Sequence, residues 1–220
     1  MRSTSPTLSR ARRVPDVRKA WAGLRSSAES LVGGLDEGPE LVAMTSGAWS
    51  VMKVLGLLRE RVGRPGAVDV WTWTLSRRAI ERLKAWQREG VAVRVCVDSS
   101  LWRRQPAYGA ALVSGPMAAS VRAFSSHVKA ARVVGPRGSV FIAGSGNLNL
   151  CRRAELVWLS SDPALSRWLE GLTDAAFAAI PEGAPIRGQD ADLDARLAQA
   201  FPARHAAPIW AQGLPVLTKG

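Results

Sequence analysis

The sequence predicts an α/β fold built on a mixed β-sheet, and three observations predict it. Between residues 40 and 98, short apolar runs of strand length alternate with longer segments whose apolar residues recur every three or four positions. Between residues 130 and 143, two short strand-like runs flank Gly135-Pro136-Arg137-Gly138, the pattern of a hairpin. Hydrophobic residues make up 47% of the 220 positions, enough for a buried core, which excludes a globally disordered chain. Strand–helix alternation calls for parallel strands joined by crossovers and the hairpin for antiparallel neighbours, so one sheet holding both is mixed.

The elements follow in order. Residues 1–20 are rich in Ser, Pro and Arg without periodicity and read as a basic, flexible arm. A weak helical pattern from residue 19 to 35 (Trp21, Leu24, Ala28, Leu31, Val32) meets a stop at Gly33-Gly34. Residues 40–45 form a short strand, and residues 50–62 a helix with Val51, Val54, Leu55 and Leu58 on one face. A second strand spans 68–73. Ser76 then caps a helix running to Glu89, with Ile80, Leu83 and Trp86 apolar, and Gly90 ends it. Val91, Val93, Val95 and Val97 give the clearest strand, by strict alternation. Residues 101–115 are partly helical, and strands follow at 120–124, 130–134, 139–143 and 155–159. A helix over 163–180 closes the domain, which spans 21–180; the Pro/Ala/Gly-rich segment 181–220 reads as a loosely attached tail. The tryptophans at 71, 73, 86, 158 and 168 fall on predicted strands and helices, where core packing is the expected role.

The chain carries a formal net charge of +12. Residues 1–25 hold seven basic side chains against one acid, Asp16, and so supply half of the excess. Such a balance favours a polyanionic partner, of which nucleic acid is the commonest. No apolar run approaches the ~18 residues that a spanning helix requires, so integral membrane association is not expected. The N-terminus has the arginines but not the apolar stretch of a secretory signal. Cys96, Cys151 and two histidines match no zinc spacing; one disulfide could join the cysteines, but a reduced, cytoplasmic protein is the simpler reading.

One stretch carries the chemistry. His127 and Lys129 stand two apart at the start of a strand, where alternation puts both on one face. A neutral imidazole is a nucleophile near neutral pH, and an ammonium beside it can hold a phosphoryl oxygen. Across the predicted hairpin, Ser145 and Asn147 offer neutral hydrogen bonds to the same oxygens, while Gly144 and Gly146 let backbone approach a ligand. Glu155 opens the next strand and is placed to accept a proton from the far ring nitrogen of His127. Singly, each residue is more often a turn, surface or packing residue; the ordered set points to phosphate chemistry. Arg103, Arg104, Arg152 and Arg153 are placed to neutralise flanking phosphates.

The order His127-x-Lys129, then Gly144-Ser145-x-Asn147, then Arg153-Ala-Glu155 resembles the signature of the phospholipase D superfamily. The resemblance covers roughly residues 40–175. Two departures are visible: Val134 stands at the position of the signature's aspartate, and Gly144 falls about three residues later than the signature places it, across a longer turn. The resemblance implies an α/β/α sandwich and a phosphodiesterase that uses no metal and no cofactor. In it, one histidine forms a phosphohistidine and a second protonates the leaving oxygen. The chain has one such motif, and His205 lies in the tail without Lys or Gly-Ser-x-Asn company. The implied arrangement is therefore a homodimer presenting two copies of His127 to one shared site. The expected activity is a nuclease. The alternatives are a non-catalytic nucleic-acid-binding module on the same fold and, third, a phospholipase or phosphatidyl transferase, for which no exposed amphipathic segment stands out.

Overall fold

A computed structural model describes residues 27–45, 49–64, 66–149 and 155–182. The predicted basic arm (1–20) and nearly all of the C-terminal tail (181–220) lie outside these residues. Seven strands form one sheet in the order β1-β7-β6-β5-β2-β3-β4: β1 Glu40–Thr45, β2 Ala67–Thr72, β3 Ala92–Asp98, β4 Val121–Phe124, β5 Ala130–Gly135, β6 Gly138–Gly144 and β7 Glu155–Ser160. Strands β2, β3 and β4 run parallel; β5, β6, β7 and β1 add antiparallel neighbours on the other side of β2. The sheet is mixed, as the alternation and the hairpin require.

The helices are α1 Ala28–Gly33, α2 Val51–Val62, α3 Arg77–Arg88, α4 Leu101–Arg104, α5 Pro106–Leu112 and α6 Pro163–Ala179. Their starts are chemically marked. Ser50 Oγ accepts from Lys53 N, Ser76 Oγ from Ala79 N, and Asp162 Oδ1 from Ala164 N, each satisfying an N–H that the helix leaves orphaned. Helix α3 buries Ala79, Ile80, Leu83 and Trp86, spaced to form one stripe, while its arginines face outward. Each large side chain in that stripe contributes about 1.5–3 kcal/mol by leaving water.

Helices α2 and α3, with α5 and the α4 segment, cover one face of the sheet over a core that includes Val54, Leu58, Ile80, Val95, Val133 and Ile142. Among the described residues, the other face is covered by α6 alone, over Trp71, Cys96, Phe124, Ala130 and Phe141. The result is an α/β/α sandwich. The second cover explains a feature the alternating valines of β3 do not foretell: in the second half of the strand the intervening residue Cys96 is buried too. Cys96 is 1% exposed, and burial pushes its thiol pKa up, which leaves it without thiolate reactivity.

Beneath α6 lies an ion cluster. Asp69 on β2 is flanked in register by Arg94 on β3 and Arg132 on β5. Arg94 donates from Nε and Nη2 to both Asp69 oxygens at 2.7 Å, and Arg132 Nε donates to Oδ2 at 2.5 Å. The two guanidinium groups reach on to Asp174 and Glu170 of α6. Asp69 is 1% exposed, so removing either arginine would leave a buried charge short of partners, a loss of about 3–5 kcal/mol. The cluster pins α6 across the parallel and antiparallel halves of the sheet.

The core assignment of the tryptophans needs correction. Trp71 and Trp86 are buried, but Trp158 is half-buried, Trp168 is 44% exposed on α6, and Trp73 lies just beyond the end of β2, beside His127. Strand and helix periodicity cannot tell a residue inside an element from one past its end.

Candidate active site

The topology gathers the candidate polar residues at one end of the sheet. Strands β2, β3 and β4 end there, β5 and β7 begin there, and β6 ends there, as the pairs Trp71–Ala130, Ala130–Ala143 and Gly144–Val157 require. Open α/β sheets bind ligands beyond the carboxyl ends of their parallel strands. Trp73 follows β2, Asp98 ends β3, Ser126, His127 and Lys129 lie between β4 and β5, Ser145 and Asn147 follow β6, and Glu155 starts β7. Leu75 bridges to Leu148, and Ser76 N donates to Leu148 O at 3.3 Å, so the segments after β2 and β6 are tied together.

His127 is exposed and Lys129 partly so. The Lys129 Nζ lies 3.2 Å from His127 Nδ1, 3.3 Å from Nε2 and 3.0 Å from the His127 carbonyl, to which it donates. Strand β5 begins only at Ala130, so the pair is not brought together by strand alternation, as the sequence reading has it. The ammonium folds back over its own loop instead. Burial holds the Lys129 pKa below the ordinary lysine value, while the negative charge of Glu155 works in the opposite direction.

Hairpin register positions the second half of the site. Pro136 and Arg137 form a two-residue turn between the paired Gly135 and Gly138, and the pairing runs to Ala130–Ala143. Gly144 N then donates to Lys129 O at 3.1 Å. The turn is therefore short, not long. Val134 sits beside that turn, opposite Ser139, five positions along β5 from Lys129. At about 3.3 Å per residue this is roughly 16 Å from the ammonium-bearing residue, so the missing aspartate belongs to the far end of the strand.

Ser145 Oγ donates to Glu155 Oε2 at 2.5 Å and accepts from Leu156 N at 2.9 Å. Glu155 thus pairs with Ser145 and acts on Lys129 through its charge; the polar partner of both His127 ring nitrogens is Lys129. The expected His127–Glu155 hydrogen bond is not among the contacts of the described residues. The expected role of Gly144 also changes. A Cβ there would stand 2.0 Å from the Leu156 carbonyl oxygen, so glycine admits the backbone of β7 rather than a ligand. Among the described residues, Asn147 Oδ1 is buried without a hydrogen-bond partner, an unspent polar group at the site. A cavity of about 20 Å³, room for a single water, lies behind Lys129, Gly144 and Gly146.

Two supporting groups were not singled out by sequence. Asp98, 7% exposed, accepts from Ser126 N with Oδ2 at 2.9 Å and from Ser100 N with Oδ1 at 3.0 Å, and also from the Ser100 hydroxyl. It thereby anchors the residue next to His127 to the end of β3. Trp73 lies against His127 with ring centroids 5.5 Å apart, and Arg104 stacks its guanidinium 3.8 Å from the Trp73 centroid. Of the four arginines expected near the site, Arg104 is therefore beside it, Arg103 is exposed on α4, and Arg152 and Arg153 lie outside the described residues.

The sheet order and the site's position at the strand ends define a mixed α/β/α sandwich whose candidate site lies beyond the carboxyl ends of its parallel strands. No family model matches the chain, and no curated relative does. Among solved structures it is similar to a polyphosphate kinase from Porphyromonas gingivalis, with a TM-score of 0.50 and 14% identity over 77% of this chain and 29% of that one. It is also similar to NucT from Helicobacter pylori, at a TM-score of 0.47 and 11% identity, over 65% and 99% of the two chains. A third similarity is to TrmBL2, an archaeal chromatin protein, at 0.40 and 12%, over 64% and 55%. The chain spans less than a third of the kinase's length, and the likeness concerns the fold. Among the described residues no helix is long and apolar enough to cross a membrane.

Proposed function

We propose that the protein is a metal-independent phosphodiesterase that cleaves DNA or RNA through a phosphohistidine on His127. The observation that carries this reading is the exposed imidazole with the Lys129 ammonium 3.2–3.3 Å from its ring nitrogens, beside the Ser145–Glu155 pair. The unprotonated ring nitrogen attacks phosphorus, forming the N–P bond as the P–O bond to the leaving strand breaks. Lys129 and the amide of Asn147 hold the non-bridging oxygens. Glu155 orients the Ser145 hydroxyl and supports the charge on Lys129. Water then attacks the phosphohistidine, releasing phosphate ester and free imidazole.

The leaving oxygen needs a proton, and in this reading a second copy of the chain delivers it from its own His127. Two of the large apolar side chains most exposed to solvent favour that arrangement. Val128, 44% exposed, lies between His127 and Lys129, and Leu156, 47% exposed, adjoins Glu155. Apolar groups rimming a polar centre suit a two-fold contact there. The net charge of +12 favours nucleic acid over a neutral phosphodiester.

The test is cleavage of labelled DNA and RNA in EDTA by wild type and by His127→Ala. EDTA-resistant cleavage that disappears in the variant is the expected result. Binding without cleavage by wild type would instead make the protein a nucleic-acid-binding module. Full activity from a species that is monomeric in solution would overturn the shared site.

A further inference from the structure

Resting on the nucleic-acid reading, we infer that Trp73 and Arg104 form a base-stacking subsite that selects single-stranded nucleic acid beside the phosphate held at His127. The argument begins with placement. Trp73 is half-buried past the end of β2, with His127 5.5 Å from its ring centroid and the Arg104 guanidinium 3.8 Å from it. Guanidinium and imidazole are therefore separated by no more than the sum of those distances, a spacing that suits a base and its own phosphate.

The guanidinium is held edge-on by its neighbours. Its Nε donates to Ser100 Oγ at 2.9 Å, and Nη2 donates to the Trp73 carbonyl at 3.1 Å. Both bonds lie along the edge of the group, so they fix the plane that rests on the indole. Asp98 is the nearby acid, but its approach to Arg104 is only 3.9 Å and its oxygens already serve Ser126 and Ser100. The side chain remains 28% exposed, so part of the cation is accessible to a ligand.

A planar cation backed by an indole is a stacking surface for a nucleobase, since bases stack on aromatic rings and on arginine planes alike. Within a duplex both faces of a base are already stacked, and exposing one requires unstacking at a cost of a few kcal/mol. A subsite of this kind therefore favours a strand whose bases are free. It is tolerant of sequence, because every base presents a π-face. A phosphate contact by Arg104 alone would need the charge but not the plane, and lysine would serve it nearly as well.

That difference sets the experiment. Full-length protein carrying His127→Ala, which removes turnover, is titrated with two single strands of equal length. One contains 2-aminopurine at its centre; the other replaces the central bases with abasic spacers. Arg104→Lys and Trp73→Leu are compared in the same background, with thermal melting of each variant as a check on folding. The expected result is quenching of 2-aminopurine on binding, with a roughly tenfold loss of affinity in Arg104→Lys for the base-bearing strand, in line with stacking by a single base. The abasic strand should bind wild-type-like and Arg104→Lys proteins equally. Equal affinity of both proteins for both strands would overturn the subsite while leaving the nuclease reading standing. Base-dependent binding by a protein whose parent cleaves nothing would keep the subsite and overturn the phosphodiesterase. Failure to bind any strand would overturn both.

Discussion

Replacing Asp98 by asparagine tests whether the His127 loop is held as the geometry indicates. The carboxylate takes a hydrogen bond on each oxygen from a main-chain N–H, from Ser126 at 2.9 Å and Ser100 at 3.0 Å. An amide has one carbonyl oxygen, so whichever N–H it keeps, its NH2 group must face the other donor. A hydrogen bond to a charged group contributes about 1.5–3 kcal/mol. If Ser126 loses its acceptor, the opening equilibrium of its amide should rise about 10- to 150-fold, since 1.4 kcal/mol is a factor of ten. Amide hydrogen exchange read residue by residue measures this directly, without reference to any substrate. Global stability should fall by a similar amount, which for a domain of this size lowers Tm by several degrees. Cleavage should suffer more than stability, because a displacement of about 1 Å in the nucleophile can lower the rate by about 100-fold. Unchanged exchange at Ser126, with Tm lowered all the same, would show that Asp98 supports the fold and not the loop.

Three further outcomes follow from the site. Glu155→Gln retains an acceptor for Ser145 but removes the negative charge that raises the Lys129 pKa, so the ammonium is lost at a lower pH. The alkaline limb of kcat/KM should move to lower pH than in wild type, and an unmoved limb would refute the coupling. Gly144→Ala forces a Cβ against the Leu156 carbonyl oxygen and should disrupt the β6–β7 pairing, with a loss above about 3 kcal/mol read by denaturant unfolding. Val134→Asp restores the motif's aspartate at the far end of β5 and should leave cleavage within about twofold; a large gain in rate would mean that this end of the strand communicates with His127.

Much of the fold was legible because its signals are local. Ser76 caps its helix, the β3 valines face one core, and Gly135 through Gly138 turn the hairpin, each a matter of neighbouring residues. What escaped depends on partners far away in sequence. Asp69, Arg94 and Arg132 come together only when β2 pairs with β3 and β5, and α6 then covers them with Glu170 and Asp174. The same holds for the site. His127, Lys129, Ser145 and Glu155 stood out because their types and order are unusual, but their pairing did not. Alternation put Lys129 beside His127 for the wrong reason, and Glu155, expected to orient His127, pairs with Ser145 instead. Asp98 carried no sequence mark, since an acid at a strand end is ordinary, and Trp73 was expected in the core rather than at the site.

The β5–β6 hairpin has a consequence for how such chains are found. In a hairpin, every added rung takes one residue from each strand, so the sequence distance between Lys129 and Ser145 can grow while their separation in space stays fixed by pairing. The number of residues between the two halves of the motif is then a record of strand length, and what holds the halves together is the rung that sets Lys129 opposite Gly144. A pattern with a fixed gap passes over a chain like this one; a pattern written as two strand ends and a turn of any compatible length would find it.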